Sequence, residues 1–183
     1  MFYIINNIDR RIPVLVTIWN RRGVTLIEFV IILIIIVILT VIAVPTFITF
    51  YKTHRLKSTT EALYYALQFA RTEAVKRNTT VYVSFTTGDS WCFGVNPGSS
   101  CNCGTAGSCT LLTVSAPQAQ QISLSQSGYN SNYVYFEGTH GAANASGSLT
   151  YTLFGQTPLV KIKLGAMGNL QMCSTGVSGY TAC

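Results

Sequence analysis

Between residues 29 and 44 every position except Thr40 is apolar, and the run extends outward through residues 24–27 and 46–50. At the helical rise of about 1.5 Å per residue this stretch is long enough to cross a bilayer whose hydrocarbon core is about 30 Å thick. Two residues break the pattern. Glu28 stands one turn inside the run, where a central acidic residue costs roughly 2.5–3.5 kcal/mol on insertion. Pro45 has no N–H to donate and its ring clashes with the preceding turn, so it predicts a helix kink.

Beyond residue 50 the polar side chains Lys52, His54, Arg55 and Lys57 mark the exit from the apolar run. Helical periodicity then resumes, because Leu56, Leu63, Leu67, Ala70 and Ala74 follow at spacings of seven, four, three and four and share one face. Glu61, Arg71 and Lys76 fall mostly on the other face, and Asn78 is the expected stop. From residue 79 onward the texture changes to short β-prone runs separated by turn residues, over 80–86, 91–95, 110–114, 120–124, 133–137, 149–154, 159–164 and 170–173. Alternation in Val81-Tyr82-Val83-Ser84-Phe85 and in Leu159-Val160-Lys161-Ile162-Lys163-Leu164 predicts strands with one buried and one wet face, with both lysines on the wet one. The expected class is α+β: a long N-terminal helix, membrane-spanning over 24–50 and amphipathic over 51–78, packed on an antiparallel sheet domain over 79–183.

Composition narrows the function. In 183 residues, 49% are hydrophobic and only 10% charged, which argues against disorder and against a nucleic-acid-binding tail. The net charge of +6 is unevenly placed: residues 78–183 carry only Lys161 and Lys163 against Asp89 and Glu137. Cys92, Cys101, Cys103, Cys109, Cys173 and Cys183 lie in a stretch rich in Gly, Ser, Thr and Asn, the texture of an exported, oxidised domain. Zinc is disfavoured, since Cys101-Asn102-Cys103 is too tight for a knuckle and neither His54 nor His140 lies near it. Three bridges are expected; fifteen pairings are possible, with Cys173–Cys183 expected to close the C-terminal tail and the other four to pair among themselves. No nucleophile elbow, metal box or acidic pair is present, and Glu137-Gly138-Thr139-His140 reads as a turn, so no catalytic residue, cofactor or metal is expected.

Gly23-Val24-Thr25-Leu26-Ile27-Glu28, preceded by Arg21-Arg22 and followed by an apolar helix containing Pro45, resembles the class III signal of type IV pilins and type II secretion pseudopilins. The resemblance implies that residues 1–23 are a leader and that prepilin peptidase cuts between Gly23 and Val24 and methylates the new amine of Val24. Most members begin with Phe there, so Val24 is a departure. It also implies that Glu28 pairs with the N-terminal amine of a neighbouring subunit, which agrees with the need to neutralise an acid in an apolar core. A leader of 23 residues is long for a cytoplasmic tag, and a later start at residues 14–16 is an alternative.

The run Leu67-Gln68-Phe69-Ala70-Arg71-Thr72-Glu73-Ala74-Val75-Lys76-Arg77-Asn78 is similar to a segment of the FimT/FimU and pseudopilin H family of minor pilins, and the two resemblances together cover residues 21–95. They imply a single-pass protein of the bacterial inner membrane with its globular domain in the periplasm, later in a pilus or pseudopilus. Implied partners are other minor and major pilins, prepilin peptidase, the inner-membrane assembly platform, and membrane lipid before assembly. The implied role is priming, initiating or capping a type IV pilus; the alternatives are a pilus-displayed DNA receptor and a type II secretion pseudopilin H. Receptors of this kind carry a basic G-R-x-R motif near the C-terminus. The corresponding place reads Gly168-Asn169-Leu170-Gln171 and lacks both arginines, so DNA is not an expected partner.

Overall fold

The computed structural model describes residues 23–116, 121–153 and 156–183, without the side chains of residues 44–46 and 156. The leader up to Arg22 and the side chain of Pro45 therefore lie outside the described residues. One helix, α1, is assigned over Leu26–Arg77, across Pro45. Among the described residues nine strands follow: β1 Val81–Thr86, β2 Cys92–Pro97, β3 Leu112–Ser115, β4 Ile122–Ser127, β5 Tyr133–Phe136, β6 Gly147–Leu153, β7 Gln156–Leu164, β8 Leu170–Thr175 and β9 Thr181–Ala182. The chain divides into two compact units at Ala43 and Val44.

The first unit contributes no core of its own. Every described residue from Gly23 to Ala43 is exposed, and α1 is long and apolar enough there to cross a membrane. Thr40 does not spoil this surface, because its hydroxyl donates to the carbonyl of Val37 at 2.9 Å and so satisfies itself within the helix.

The second unit is where the chain folds upon itself. Leu56, Leu63, Leu67, Ala70 and Ala74 are all fully buried, as their spacing predicts. Thr60 shares their face, and its hydroxyl donates to the Leu56 carbonyl at 2.9 Å. The strands supply two sheets where the sequence suggested one. Their orders are β3-β2-β1-β5 and β4-β6-β7-β8-β9, and an isolated bridge pairs Gly88, between β1 and β2, with Leu124 of β4. The alternating strands point Val81, Val83 and Phe85, Ile122 and Leu124, Leu149 and Tyr151, and Val160 and Ile162 into one core with the helix face. Each large apolar side chain so buried contributes on the order of 1.5–3 kcal/mol.

Three details depart from expectation. All pairings are antiparallel except β8 with β9, which is parallel and joins Cys173 to Thr181 and Ser174 to Ala182 in register. The bridge Cys173–Cys183 closes the same short tail, so the cross-link and the parallel pairing bring the same residues together. Second, β1 and β2 have no wet face over much of their length: Ser84, Cys92, Gly94 and Asn96 are buried along with the core-facing residues. The loop after β2 folds over them, cross-linked by Cys92–Cys103 and Cys101–Cys109. Ser84 accepts the Cys101 N–H at 3.1 Å, and Asn96 accepts from the Thr110 hydroxyl at 2.8 Å and amide at 3.2 Å, so the covered polar groups are paired. Third, the strands expected at 110–114 and 120–124 begin two residues later. Lys161 and Lys163 of β7 do share the outward face.

Gly94 is required by that loop. A Cβ there falls inside the contact envelope of the Cys109 sulfur and 2.8 Å from the Cys109 Cβ, with the Leu112 carbonyl at 3.2 Å. Because Cys109 is tethered to Cys101, it has little room to move. Gly94→Ala is therefore expected to destabilise the oxidised, detergent-solubilised protein by about 1–3 kcal/mol, the usual cost of overpacking, in guanidinium unfolding. The loss should shrink when Cys101 and Cys109 are both replaced by Ser; an equal loss in both backgrounds would contradict the clash.

Candidate assembly site

The head of α1 is organised by Thr25. The Glu28 N–H donates to the Thr25 hydroxyl at 3.3 Å and the Phe29 N–H to the Thr25 carbonyl at 3.1 Å, which makes Thr25 the N-cap and Glu28 the third helical residue. Thr25-x-x-Glu28 is the spacing of a capping box, in which an acid at that position can also reach back to the N-cap amide. A carboxylate in the first turn faces the positive end of the helix dipole, worth about 0.3–1 kcal/mol. The sequence reading found Glu28 through its misfit in an apolar run and missed this local reason for an acid, although the Thr25-x-x-Glu28 spacing was legible. Among the described residues no side chain pairs with the Glu28 carboxylate. Gly23 and Val24 precede the cap in non-helical, exposed conformation.

Downstream of this head the helix offers a surface of exposed Ile, Leu, Val and Phe side chains, from Leu26 at 82% exposure to Ile42 at 68%. The two features belong to one element: a capped, acid-bearing helix start and an exposed apolar helical face.

The other end of α1 is tied into the domain. Arg71 was expected on a solvated stripe, but its Nε donates to the Gly141 carbonyl at 3.1 Å and an Nη to the Met167 carbonyl at 3.3 Å. The turns that receive it are close: Gly141 and Gly168 both have positive φ, and a Cβ on Gly168 would overlap the Gly141 carbonyl oxygen. Gly168 thus marks a turn that takes in an arginine from the helix. Glu73 is buried at 7% exposure and is held by Arg77 at 2.5 Å and Lys76 at 3.4 Å. Hydrogen bonding from Arg77, against some opposing desolvation, keeps its carboxyl below the usual range. Glu61, also expected on the outer face, accepts the Tyr180 hydroxyl at 2.6 Å, while Lys57 lies over the Tyr180 ring at 5.7 Å. Burial first, and then the Glu61 hydrogen bond, push the Tyr180 phenol above its ordinary value.

Helix α1 stops after Arg77 because Asn78 adopts a left-handed conformation with φ of 48°, a C-terminal device open to Asn as well as Gly. The Glu137–Gly141 segment turns against that stop: the Gly141 N–H donates to the Glu137 carbonyl at 2.9 Å, and a Cβ on Gly138 would lie 3.0 Å from the Asn78 Cα. His140 is exposed on this turn. All six cysteines are in disulfides, and no group of three or more His, Cys, Asp or Glu suited to a metal occurs among the described residues.

Comparison with known proteins agrees with this architecture. The family model described as type II transport protein GspH matches residues 59–174. Two crystal structures of the type IV minor pilin FimU of Pseudomonas aeruginosa are similar in fold. One has a TM-score of 0.53 at 17% identity, covering 70% of this chain and 98% of that one. The other has a TM-score of 0.50 at 16% identity, covering 67% and 98%. At such identities the likeness is one of fold. No curated protein sequence matches the chain.

The Glu73 cluster makes a pH prediction. A carboxyl held below its ordinary value of 4.5 contributes stability that is fully present above that pH and is lost as pH falls through the folded value. Glu73→Gln should therefore be less stable than the parent near neutrality, with the gap closing progressively below pH 4.5. Thermal melts between pH 7 and pH 3 check this; a gap that stays constant with pH would show that the ion pairs contribute nothing to stability.

Proposed function

We propose that this chain, which belongs to the GspH family of type II transport proteins, helps to prime or cap a type IV pilus-like filament as one of its minor subunits. Membership makes it a pilin or pseudopilin subunit, a structural protein that assembles with others of its class. The one helix among the described residues that is long and apolar enough to span a bilayer, together with the globular domain, fits a protein anchored in a membrane by that helix. The observation that carries the reading is the division of labour along α1: residues 56–74 complete the core of the domain, while residues 24–43 are left wholly exposed with Glu28 at their head.

In this reading the domain lies in the periplasm and residues 24–50 rest in inner-membrane lipid until assembly. Prepilin peptidase cuts between Gly23 and Val24 and methylates the Val24 amine. Extraction from lipid into the filament exchanges acyl chains for the helices of neighbouring pilins. A buried carboxylate without a partner costs several kcal/mol, and a neighbouring subunit's N-terminal ammonium offsets that cost at Glu28. The capping role of Thr25 keeps the helix start rigid, so that the carboxylate is presented at a fixed height.

The family's description, type II transport, supports a second reading in which the filament is a secretion pseudopilus. A DNA-receptor role is disfavoured by the destination of the basic side chains: Arg71 is turned onto two carbonyls, and Lys76 and Arg77 are engaged by Glu73.

Two outcomes test this. Glu28→Ala should leave membrane insertion intact, since the helix becomes more apolar, and should remove the subunit from sheared filaments. Normal incorporation would sink the pairing role. At about 0.15 M salt the protein should not retard double-stranded DNA, because too few free cations remain to displace counterions. Micromolar binding that is lost in a Lys161→Glu/Lys163→Glu variant would favour the receptor reading.

A further inference from the structure

At the foot of the domain, α1 and the ends of β4 and β6 enclose a groove of about 220 Å³ lined by Phe47, Ile48, Ile122 and Leu153 together with Lys52 and Arg55. Its floor is core: Ile122 and Leu153 are buried, whereas Phe47 and Ile48 stand exposed at its rim. A second cleft of about 270 Å³ lies against Ile48, Lys52, Leu153 and Pro158, so that Lys52 borders both. Among the described lining residues of either cleft there is no carboxylate. Arg55 is oriented by Tyr51, whose hydroxyl accepts from its Nη at 2.8 Å and whose ring it overlies at 5.6 Å.

We propose that this groove holds one anionic phospholipid, with its phosphodiester at Lys52 and Arg55 and the upper part of an acyl chain along Phe47, Ile48, Ile122 and Leu153. The inference rests on the reading of residues 24–50 as a membrane anchor. Three observations specify the occupant. The groove's helical residues straddle the end of the apolar run, Phe47 and Ile48 within it and Lys52 and Arg55 just beyond, within about three turns of Pro45, where the chain leaves the hydrocarbon for the headgroup layer. Tyr51, at that depth, is one of the amphipathic aromatic residues that mark the interface. The lining is apolar with two cations at one end, which complements a lipid in both charge and polarity, and each such cation near an anionic surface favours binding by roughly fivefold. Such a lipid would cover the foot of the core until the subunit leaves the membrane.

Trp91 supplies a reporter. Its indole N–H donates to the Ile122 carbonyl at 3.1 Å, it is buried at 2% exposure, and Trp19 is the other of the chain's two tryptophans. The full chain carrying Trp19→Phe is reconstituted into vesicles of phosphatidylglycerol or phosphatidylcholine brominated high on the acyl chain. Flotation confirms insertion, and Trp91 fluorescence reads contact with bromine. Brominated phosphatidylglycerol is expected to quench Trp91, and brominated phosphatidylcholine much less. In mixed vesicles Lys52→Gln and Arg55→Gln should each raise the phosphatidylglycerol fraction needed for half-quenching by roughly fivefold, with flotation unchanged, and Lys52→Arg should restore it. A floated chain whose Trp91 is unquenched in phosphatidylglycerol would overturn the proposal and mean that the groove is empty or filled by a second subunit. Equal quenching by both lipids would overturn the headgroup assignment. A chain that fails to float would overturn the groove proposal and the anchor reading together.

Discussion

A helix whose apolar residues are all exposed cannot remain so in water. From Leu26 to Ile42 α1 carries large aliphatic side chains around its whole circumference, and all of them are exposed. At roughly 1.5–3 kcal/mol per side chain, the unfavourable exposure amounts to tens of kcal/mol, more than the net stability of an ordinary domain. The chain therefore requires an external apolar phase, either lipid or other helices. A carboxylate and a capped helix start at one end of that surface make the requirement directional. The domain closes its own core with only the later turns of the same helix, from Leu56 to Ala74.

How the domain does so explains its unusual economy of charge. The few ionised groups near the helix end are spent internally: Arg71 on two carbonyls, Lys76 and Arg77 on Glu73, Glu61 on Tyr180. The Arg71 and Glu61 contacts fasten α1 to the turns at Gly141 and Gly168 and to the C-terminal tail, while the Glu73 pairs lie within the helix. Cross-links do the same for segments that hydrophobic burial cannot hold. The loop after β2 has almost no apolar side chains and is kept over the sheet by two disulfides, while the third closes the tail beside β9.

What was legible in the sequence follows from this physics. Helical period located Leu56, Leu63, Leu67, Ala70 and Ala74 because each faces one apolar core, and strand alternation located Val81, Val83, Phe85 and Ile162 for the same reason. Periodicity reports which face is buried and says nothing of what buries it. Ser84 was thus read as wet, when a loop without any period covers it. The division into two sheets, the parallel β9 and the inward course of Arg71 depend on contacts distant in sequence and had no local signature. The Thr25 cap did have one, and was overshadowed by the apolar run that follows it.

The central claim is that other pilin-class helices cover residues 24–43 in the assembled state. A photo-crosslinking residue in place of Ile34, activated in cells with an intact assembly system, reads the neighbours of that surface directly. The account predicts adducts to the N-terminal helices of other pilin-class subunits, lost when assembly is blocked and replaced by adducts to lipid. Crosslinks confined to the chain's own β-domain, unchanged by blocking assembly, would contradict it.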